Sequence, residues 1–135
     1  MALTASRDRV RNARARGTGL VEFALILPVL VLMLFSILDL GRGIYAYSVV
    51  SNSAREGARY GTIAPTDVAG IENATRNAAI ALNPDELTVQ VAQPTDDTIR
   101  VSVTFNFRLV TPLVAQAAGL NPLVLHSTAT MYTGY

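Results

Sequence analysis

The most prominent pattern in the chain is an apolar run from Phe23 to Leu38, which only Pro28 and Ser36 interrupt. About 18 to 20 apolar residues, each rising roughly 1.5 Å along a helix, span the roughly 30 Å hydrocarbon core of a bilayer. A helix is the form in which a single segment satisfies its backbone hydrogen bonds in lipid. The pattern therefore predicts a transmembrane helix, within one long helix from about Leu20 to about Tyr60.

Two residues, one inside the run and one directly before it, place constraints on this helix. Pro28 removes one backbone donor and frees the carbonyl of Ala24, which membrane helices tolerate as a kink or a loosened turn. Glu22 places a carboxylate at the mouth of the helix, where it costs free energy and usually has a partner. Near a helix end, however, such a side chain can also reach into water and have no further role.

Small residues follow the run at helical spacing. Ala54, Gly57 or Ala58, and Gly61 recur every three to four residues, and such a strip allows another element to approach the helix closely. Arg55 and Arg59 lie one turn apart within the same segment. The strip is compatible with docking of either the C-terminal domain or another subunit, and the residues alone leave both open.

Helical signals come next along the chain. Asp67 is a suitable N-cap, and apolar residues then follow a helical period from Val68 to Leu82 until Asn83-Pro84 interrupts it. Thr111-Pro112 predicts the start of a second, short helix that Gly119 ends.

Alternating apolar and polar residues predict three strands. The alternation is clearest from Ile99 to Leu109, where Phe105 and Phe107 are expected inside and Asn106 outside. The other two strands are predicted at 87–91 and 123–131, with a turn at 93–97. The expected fold is α+β: a long N-terminal transmembrane helix, then a small domain of one helix and a three-stranded, mainly antiparallel sheet. Its segments are a basic leader (1–17), the transmembrane and extended helix (18–61) and an extracytoplasmic domain (62–135).

Charge is distributed unevenly along the chain. The leader carries five arginines, at 7, 9, 11, 14 and 16, against Asp8, and the remainder has six Arg against nine Asp and Glu, a formal charge of −3. This distribution argues against a nucleic-acid partner, which requires a basic face. The positive-inside rule instead predicts a cytoplasmic N-terminus and an extracytoplasmic C-terminal part in a single-pass protein.

Chemistry-bearing residues are sparse. The chain has no Cys and a single His, which disfavours a disulfide framework and a transition-metal site. His126 falls on the polar side of the last predicted strand, with no Ser or Asp at a recognised catalytic spacing. We therefore expect neither an enzyme nor a cofactor.

The start of the apolar run carries a recognisable motif. Gly17 is followed by four residues, then Glu22 and the aromatic Phe23. This arrangement resembles the processing site of type IV prepilins, and more closely that of the tight-adherence (Tad/Flp) pilus prepilins. The wider segments GTGLVEFALILPVLVLMLF and SNSAREGARYG resemble the TadE-like family of minor pilins or pseudopilins.

This resemblance implies partners and site residues. A prepilin peptidase would cut between Gly17 and Thr18, so that Glu22 becomes the fifth residue of the mature chain. The new α-amine of Thr18 would pair with Glu22, between neighbouring subunits by the family's pattern, although pairing within one chain stays open. Other pilin-like subunits, an inner-membrane assembly platform and the bacterial inner membrane are the implied surroundings. The residues implied for assembly are Glu22, Phe23 and Pro28, and those for helix packing are Ala54, Arg55, Gly57, Ala58 and Arg59.

Other interpretations of the N-terminus remain. The main alternative is an unprocessed single-pass envelope domain with a binding or scaffolding role. A secretory signal peptide is less favoured, because the apolar core is long and a small-x-small site is lacking after Leu38. An anchored enzyme is the least favoured alternative.

Overall fold

The computed structural model describes residues 3–111, 116, 119 and 122–134, with side chains described from residue 19 onward. The helices and strands are α1 (Leu3–Ile63), α2 (Val68–Ala78), β1 (Leu87–Thr95), β2 (Thr98–Phe107) and β3 (Leu123–Tyr132). A 3-10 turn at Pro84–Glu86 precedes β1. The strands form an antiparallel sheet in the order β1-β2-β3, which confirms the α+β prediction. The chain forms two compact units, Met1–Ile37 and Leu38–Tyr135.

The first unit consists of helix. Apolar side chains are exposed all around it, and Leu20, Phe23 and Met33 are 61–71% exposed. An 18-residue window of this helix has a mean hydropathy of 2.7, enough by length and composition to cross a membrane. Within the run, the Ser36 hydroxyl donates to the Leu32 carbonyl at 2.8 Å, so its polar group is satisfied by the helix itself.

The helix begins well before the predicted Leu20. It starts at Leu3 and includes the arginine-rich leader. Alanine and arginine are good helix formers, and the leader contains no proline that would end the helix. The predicted start was wrong because it was taken from the first residues of the apolar run, whereas the helix also includes the polar residues before the run.

In the second unit, α1 forms one wall of the hydrophobic core. The helix residues in the core are Ala46, Val50, Ala54 and Ala58, and the facing residues of β2 are Ile99, Val101, Val103, Phe105 and Phe107. Helix and strand run side by side in opposite directions: Gly61 lies against Ile99, Gly57 against Val101 and Gly43 against Phe107. The small residues therefore bring the sheet close to the helix axis.

Gly57 lies at the tightest part of this packing. A Cβ at this position would overlap the Thr75 hydroxyl of α2 and lie 3.3 Å from Val101 Cγ1. Thr75 is fully buried, and its hydroxyl donates to the Ile71 carbonyl at 2.7 Å, so it cannot move away freely. By contrast, a Cβ at Gly41 would meet no atom within 4 Å.

We expect Gly57→Ala to be less stable than Gly41→Ala by about 1–3 kcal/mol, the usual cost of overpacking. Both substitutions gain similar helix propensity, so their difference isolates the steric term. Urea unfolding of the full-length variants in detergent micelles measures it. Equal unfolding midpoints for the two variants would contradict the close packing at Gly57.

The register of the sheet agrees with the alternating pattern. Phe105 and Phe107 are buried, and Asn106 is exposed. β2 pairs with β1 from Leu87↔Phe105 to Thr95↔Thr98, and with β3 from Thr98↔Tyr132 to Phe107↔Leu123. The central strand and its inward residues were therefore predicted correctly.

Within the C-terminal unit, the ends of α2 and β1 differ from the prediction. α2 ends at Ala78 rather than near Leu82, and Ala81 adopts a left-handed φ of 65°. Leu82 still packs on the core from the connecting segment, so its spacing resembled a helical one. β1 continues through the predicted turn to Thr95, with a register irregularity after Ala92 that accommodates Pro94 in an edge strand. The short helix predicted after Thr111 falls mostly outside the described residues.

Candidate functional site

The residues of the predicted processing motif lie on α1. Gly17 and Thr18 are helical, and Glu22 follows Thr18 by one turn. Residues four apart in a helix lie on the same face, with Cβ atoms roughly 5–6 Å apart. Glu22, Phe23 and Pro28 are exposed in the first unit. The backbone thus places residue 18 within one turn of the carboxylate, and Pro28 lies inside a helix that continues on both sides of it.

The AREGAR segment, residues 54–59, has two faces. Ala54 and Ala58 are fully buried, and Gly57 is also buried, against the chain's own sheet and α2. Arg55 and Arg59 point outward and are exposed. Of the two uses that the small-residue strip left open, the structure shows docking of the C-terminal domain. The arginines form the part of this segment that another molecule can reach.

Glu56 pairs with Arg59 on the exposed side of α1. Their side chains approach to 2.8 Å, and the hydrogen bond from Arg59 raises the pKa of this guanidinium. Exposed pairs of this kind contribute little to stability. We therefore expect this pair to contribute little to the free energy of unfolding.

Asp39 forms a buried contact that the sequence did not reveal. It directly follows the apolar run and is only 4% exposed. Both of its carboxylate oxygens accept from the Val110 N–H at 3.0 Å, and Oδ2 also accepts from the Thr111 N–H at 3.0 Å and the Thr111 hydroxyl at 2.6 Å. We call Asp39, Val110 and Thr111 the Asp39 clamp. It fastens the segment after β2 to α1.

The electrostatics of the Asp39 clamp favour the charged carboxylate. Burial alone would raise the pKa of Asp39, but the hydrogen bonds from Thr111 and Val110, with the positive charge of Arg42, hold the pKa below its usual range. Arg42 lies 3.1 Å from Asp39 Oδ1, and its guanidinium stacks over the Phe107 ring at 5.3 Å. The clamp's partners lie more than 70 residues away along the chain, so no local pattern could have indicated them.

Polar side chains cover much of the outer face of the sheet. Cross-strand hydrogen bonds join Arg100 to Thr130, Ser102 to Thr128 and Thr104 to His126. The two ring nitrogens of His126 form hydrogen bonds with the hydroxyls of Thr104 and Thr128, at 3.2 and 3.1 Å. Among the described residues, no group of three or more potential metal ligands occurs.

These features define a class of protein: a small α+β domain that packs on the C-terminal part of a long helix, which also contains a run apolar enough to cross a membrane. The family model described as "TadE-like protein" matches residues 17–59, which confirms the resemblance. The match covers about a third of the chain, from the motif glycine through the AREGAR segment, and leaves the sheet outside. No curated protein and no solved structure matches the chain.

Proposed function

We propose that the protein is a minor pilin or pseudopilin of a Tad-type pilus or secretion system. The observation that carries the proposal is the single family match over residues 17–59, which includes the processing motif, the apolar run and the AREGAR segment together. The protein inserts in the bacterial inner membrane with its leader in the cytoplasm, in agreement with the excess of arginine in residues 1–17.

Processing prepares the helix for assembly. A prepilin peptidase removes the leader after Gly17, which takes away five arginines that would be expensive to carry into an apolar bundle. The cut also creates an α-amine on Thr18, one turn from Glu22. An amine and a carboxylate that pair in an apolar surrounding compensate each other's charge, whereas either one alone is costly there.

Lateral assembly then proceeds through the apolar helix. The exposed side chains of the first unit, including Phe23 and those around Pro28, offer a surface to the helices of other pilin-like subunits. An inner-membrane assembly platform is the expected site of this step. The small residues of AREGAR are already covered by the chain's own domain, so Arg55 and Arg59 are the residues of this segment that can contact a neighbour.

We expect Gly17→Ala to abolish removal of the leader, because peptidase recognition in such prepilins requires this glycine. The wild-type chain should begin at Thr18 and the variant at Met1. Mass spectrometry of the membrane-extracted N-termini, from cells that contain the peptidase, measures the difference.

Gly19→Ala is the matched control for this test. A Cβ at Gly19 would meet no atom within 4 Å, and a cut after Gly19 would place Glu22 third rather than fifth in the mature chain. This variant should therefore be processed like the wild type. A wild-type chain that retains its leader would reject the pilin mechanism and favour an unprocessed, membrane-anchored envelope domain.

A further inference from the structure

The Asp39 clamp joins the segment after β2 to α1 at the position of Asp39. Asp39 follows Leu38, the last residue of the apolar run, so its backbone lies within one helical turn of the run's end. Its carboxylate holds the Val110 N–H at 3.0 Å. If the run fills the bilayer core, as the proposed function requires, the segment that leaves β2 is held at the outer boundary of that core.

Three apolar side chains close to this level of the chain are exposed. Leu40 is 64% exposed, Ile44 60% and Val110 57%. We call these three residues the membrane-proximal patch. Two come from α1 and one from the segment after β2, so both parts joined by the clamp contribute to it. Exposed apolar side chains that continue an apolar helix are suited to the interfacial layer of a bilayer.

The charged groups nearest to the patch along the chain are paired. Arg42 pairs with Asp39 at 3.1 Å, and Arg108 pairs with Glu86 at 3.0 Å. The Asp39 carboxylate, which would be costly at the edge of the hydrocarbon, is directed into the protein and accepts from Val110 and Thr111. The clamp therefore supplies the hydrogen bonds that the Asp39 carboxylate needs and that lipid could not provide.

We propose that the membrane-proximal patch is a lipid-contact surface, which seats the C-terminal domain on the outer face of the bilayer. The partner is lipid because the proposed function inserts the apolar run in the bilayer before any assembly, and Leu40 and Ile44 continue that run along the chain. The Asp39 clamp sets the depth of this contact, since it ties Val110 to the residue where the run ends. This inference rests on the membrane insertion that the proposed function includes.

The chain has no tryptophan, so a single introduced tryptophan reports its own surroundings. Val110→Trp places the probe in the patch. Tyr132→Trp is the matched control, because Tyr132 is exposed and pairs with Thr98 at the far end of β2, roughly 30 Å from Phe107 at about 3.3 Å per residue. Leu25→Trp, inside the apolar run, reports membrane insertion itself.

The measurement is tryptophan fluorescence of each full-length variant in phosphatidylcholine vesicles, with and without bromine on the acyl chains near the headgroup. We expect brominated lipid to reduce the emission of Val110→Trp at least twofold and to leave Tyr132→Trp unchanged. Leu40→Trp should be quenched to a similar extent as Val110→Trp. Because Leu40 lies outside the clamp, this second variant controls for a local folding defect caused by Val110→Trp.

The outcomes separate this inference from the proposed function. Quenching of Leu25→Trp without quenching of Val110→Trp or Leu40→Trp would overturn the lipid-contact surface and leave insertion intact. The same result with a blue-shifted Val110→Trp emission would indicate that another protein subunit covers the patch, which also overturns the inference. Absence of quenching in Leu25→Trp would reject insertion, and the inference with it.

Discussion

Replacing Asp39 with asparagine is expected to lower the free energy of unfolding of the C-terminal unit by about 3 kcal/mol, since hydrogen bonds to a buried charge are among the stronger ones and lost partners leave buried donors unsatisfied. In the wild type, the carboxylate accepts from two backbone N–H groups and the Thr111 hydroxyl. Asparagine keeps the size but offers one oxygen, and its amide group would face the N–H groups of Val110 and Thr111 as a competing donor.

Asp96→Asn is the matched control for this substitution. Asp96→Asn makes the same chemical change in the exposed turn between β1 and β2. Substitutions at such positions usually change the free energy of unfolding by no more than about 0.5 kcal/mol. Urea unfolding of the full chains in detergent micelles, followed by far-UV circular dichroism, measures both. Thr111→Val removes only the hydroxyl, so a double-mutant cycle with Asp39→Asn should show coupling between the two residues. Equal stability of Asp39→Asn and Asp96→Asn would contradict the clamp.

The same contact predicts a dependence on pH. The pKa of Asp39 is lower in the folded chain than in the unfolded one, so the clamp's contribution is complete above the ordinary aspartate pKa of about 4 and is lost as the pH falls through the lowered value. Asp39→Asn should lack this part of the acid destabilisation, whereas Asp96→Asn should retain it.

Glu22→Gln is expected to insert in the membrane and yet fail to assemble. The amide keeps the shape of the side chain but cannot compensate the positive charge of a Thr18 amine. In the proposed assembly that amine would enter an apolar bundle unpaired, and leaving one partner of a buried ion pair alone costs about 3–5 kcal/mol. Such a cost corresponds to a loss of roughly two to four orders of magnitude in association. Glu22→Ala should fail similarly, although its helix should insert at least as well.

Glu56→Gln is the control for Glu22→Gln. It makes the same exchange on an exposed face of α1, where the Arg59 pair contributes little. Chemical cross-linking of the variants in membranes, together with mass spectrometry of their N-termini, separates assembly from processing. A Glu22→Gln protein that is cut after Gly17 and cross-links like the wild type would reject the proposed role of this carboxylate.

Local patterns in the sequence were sufficient for the features that depend on local physics. The apolar run from Phe23 to Leu38 predicted a membrane-spanning helix from its length and composition alone. The structure has a helix there whose apolar side chains are exposed, as a lipid-facing helix requires. The alternation from Ile99 to Leu109 predicted which side chains β2 buries, because side chains of a strand alternate between its two faces, although the strand itself ends at Phe107. Asp67 was also placed correctly, as an N-cap that accepts from the Gly70 N–H at 2.9 Å.

The boundaries predicted less well depend on neighbours that are distant along the chain. α2 ends early because the chain turns at Ala79 to Ala81, yet Leu82 packs on the core and so continues an apparent helical period. β1 extends through Pro94 because an edge strand tolerates a residue without an N–H. Neither effect is visible in the composition of the segment itself.

Contiguous stretches of sequence were sufficient to predict the apolar helix, the α+β class and the prepilin-like motif, because each depends on residues that are close together along the chain. The partner of the small-residue strip is known only from the tertiary structure. Ala54, Gly57 and Ala58 are equally suited to packing against another subunit, and the fold shows that they pack against the chain's own sheet and α2. The tertiary structure also decided the role of Asp39. A carboxylate at the end of an apolar run looks like a simple boundary, and only the fold brings Val110 and Thr111, more than 70 residues away, within hydrogen-bonding distance.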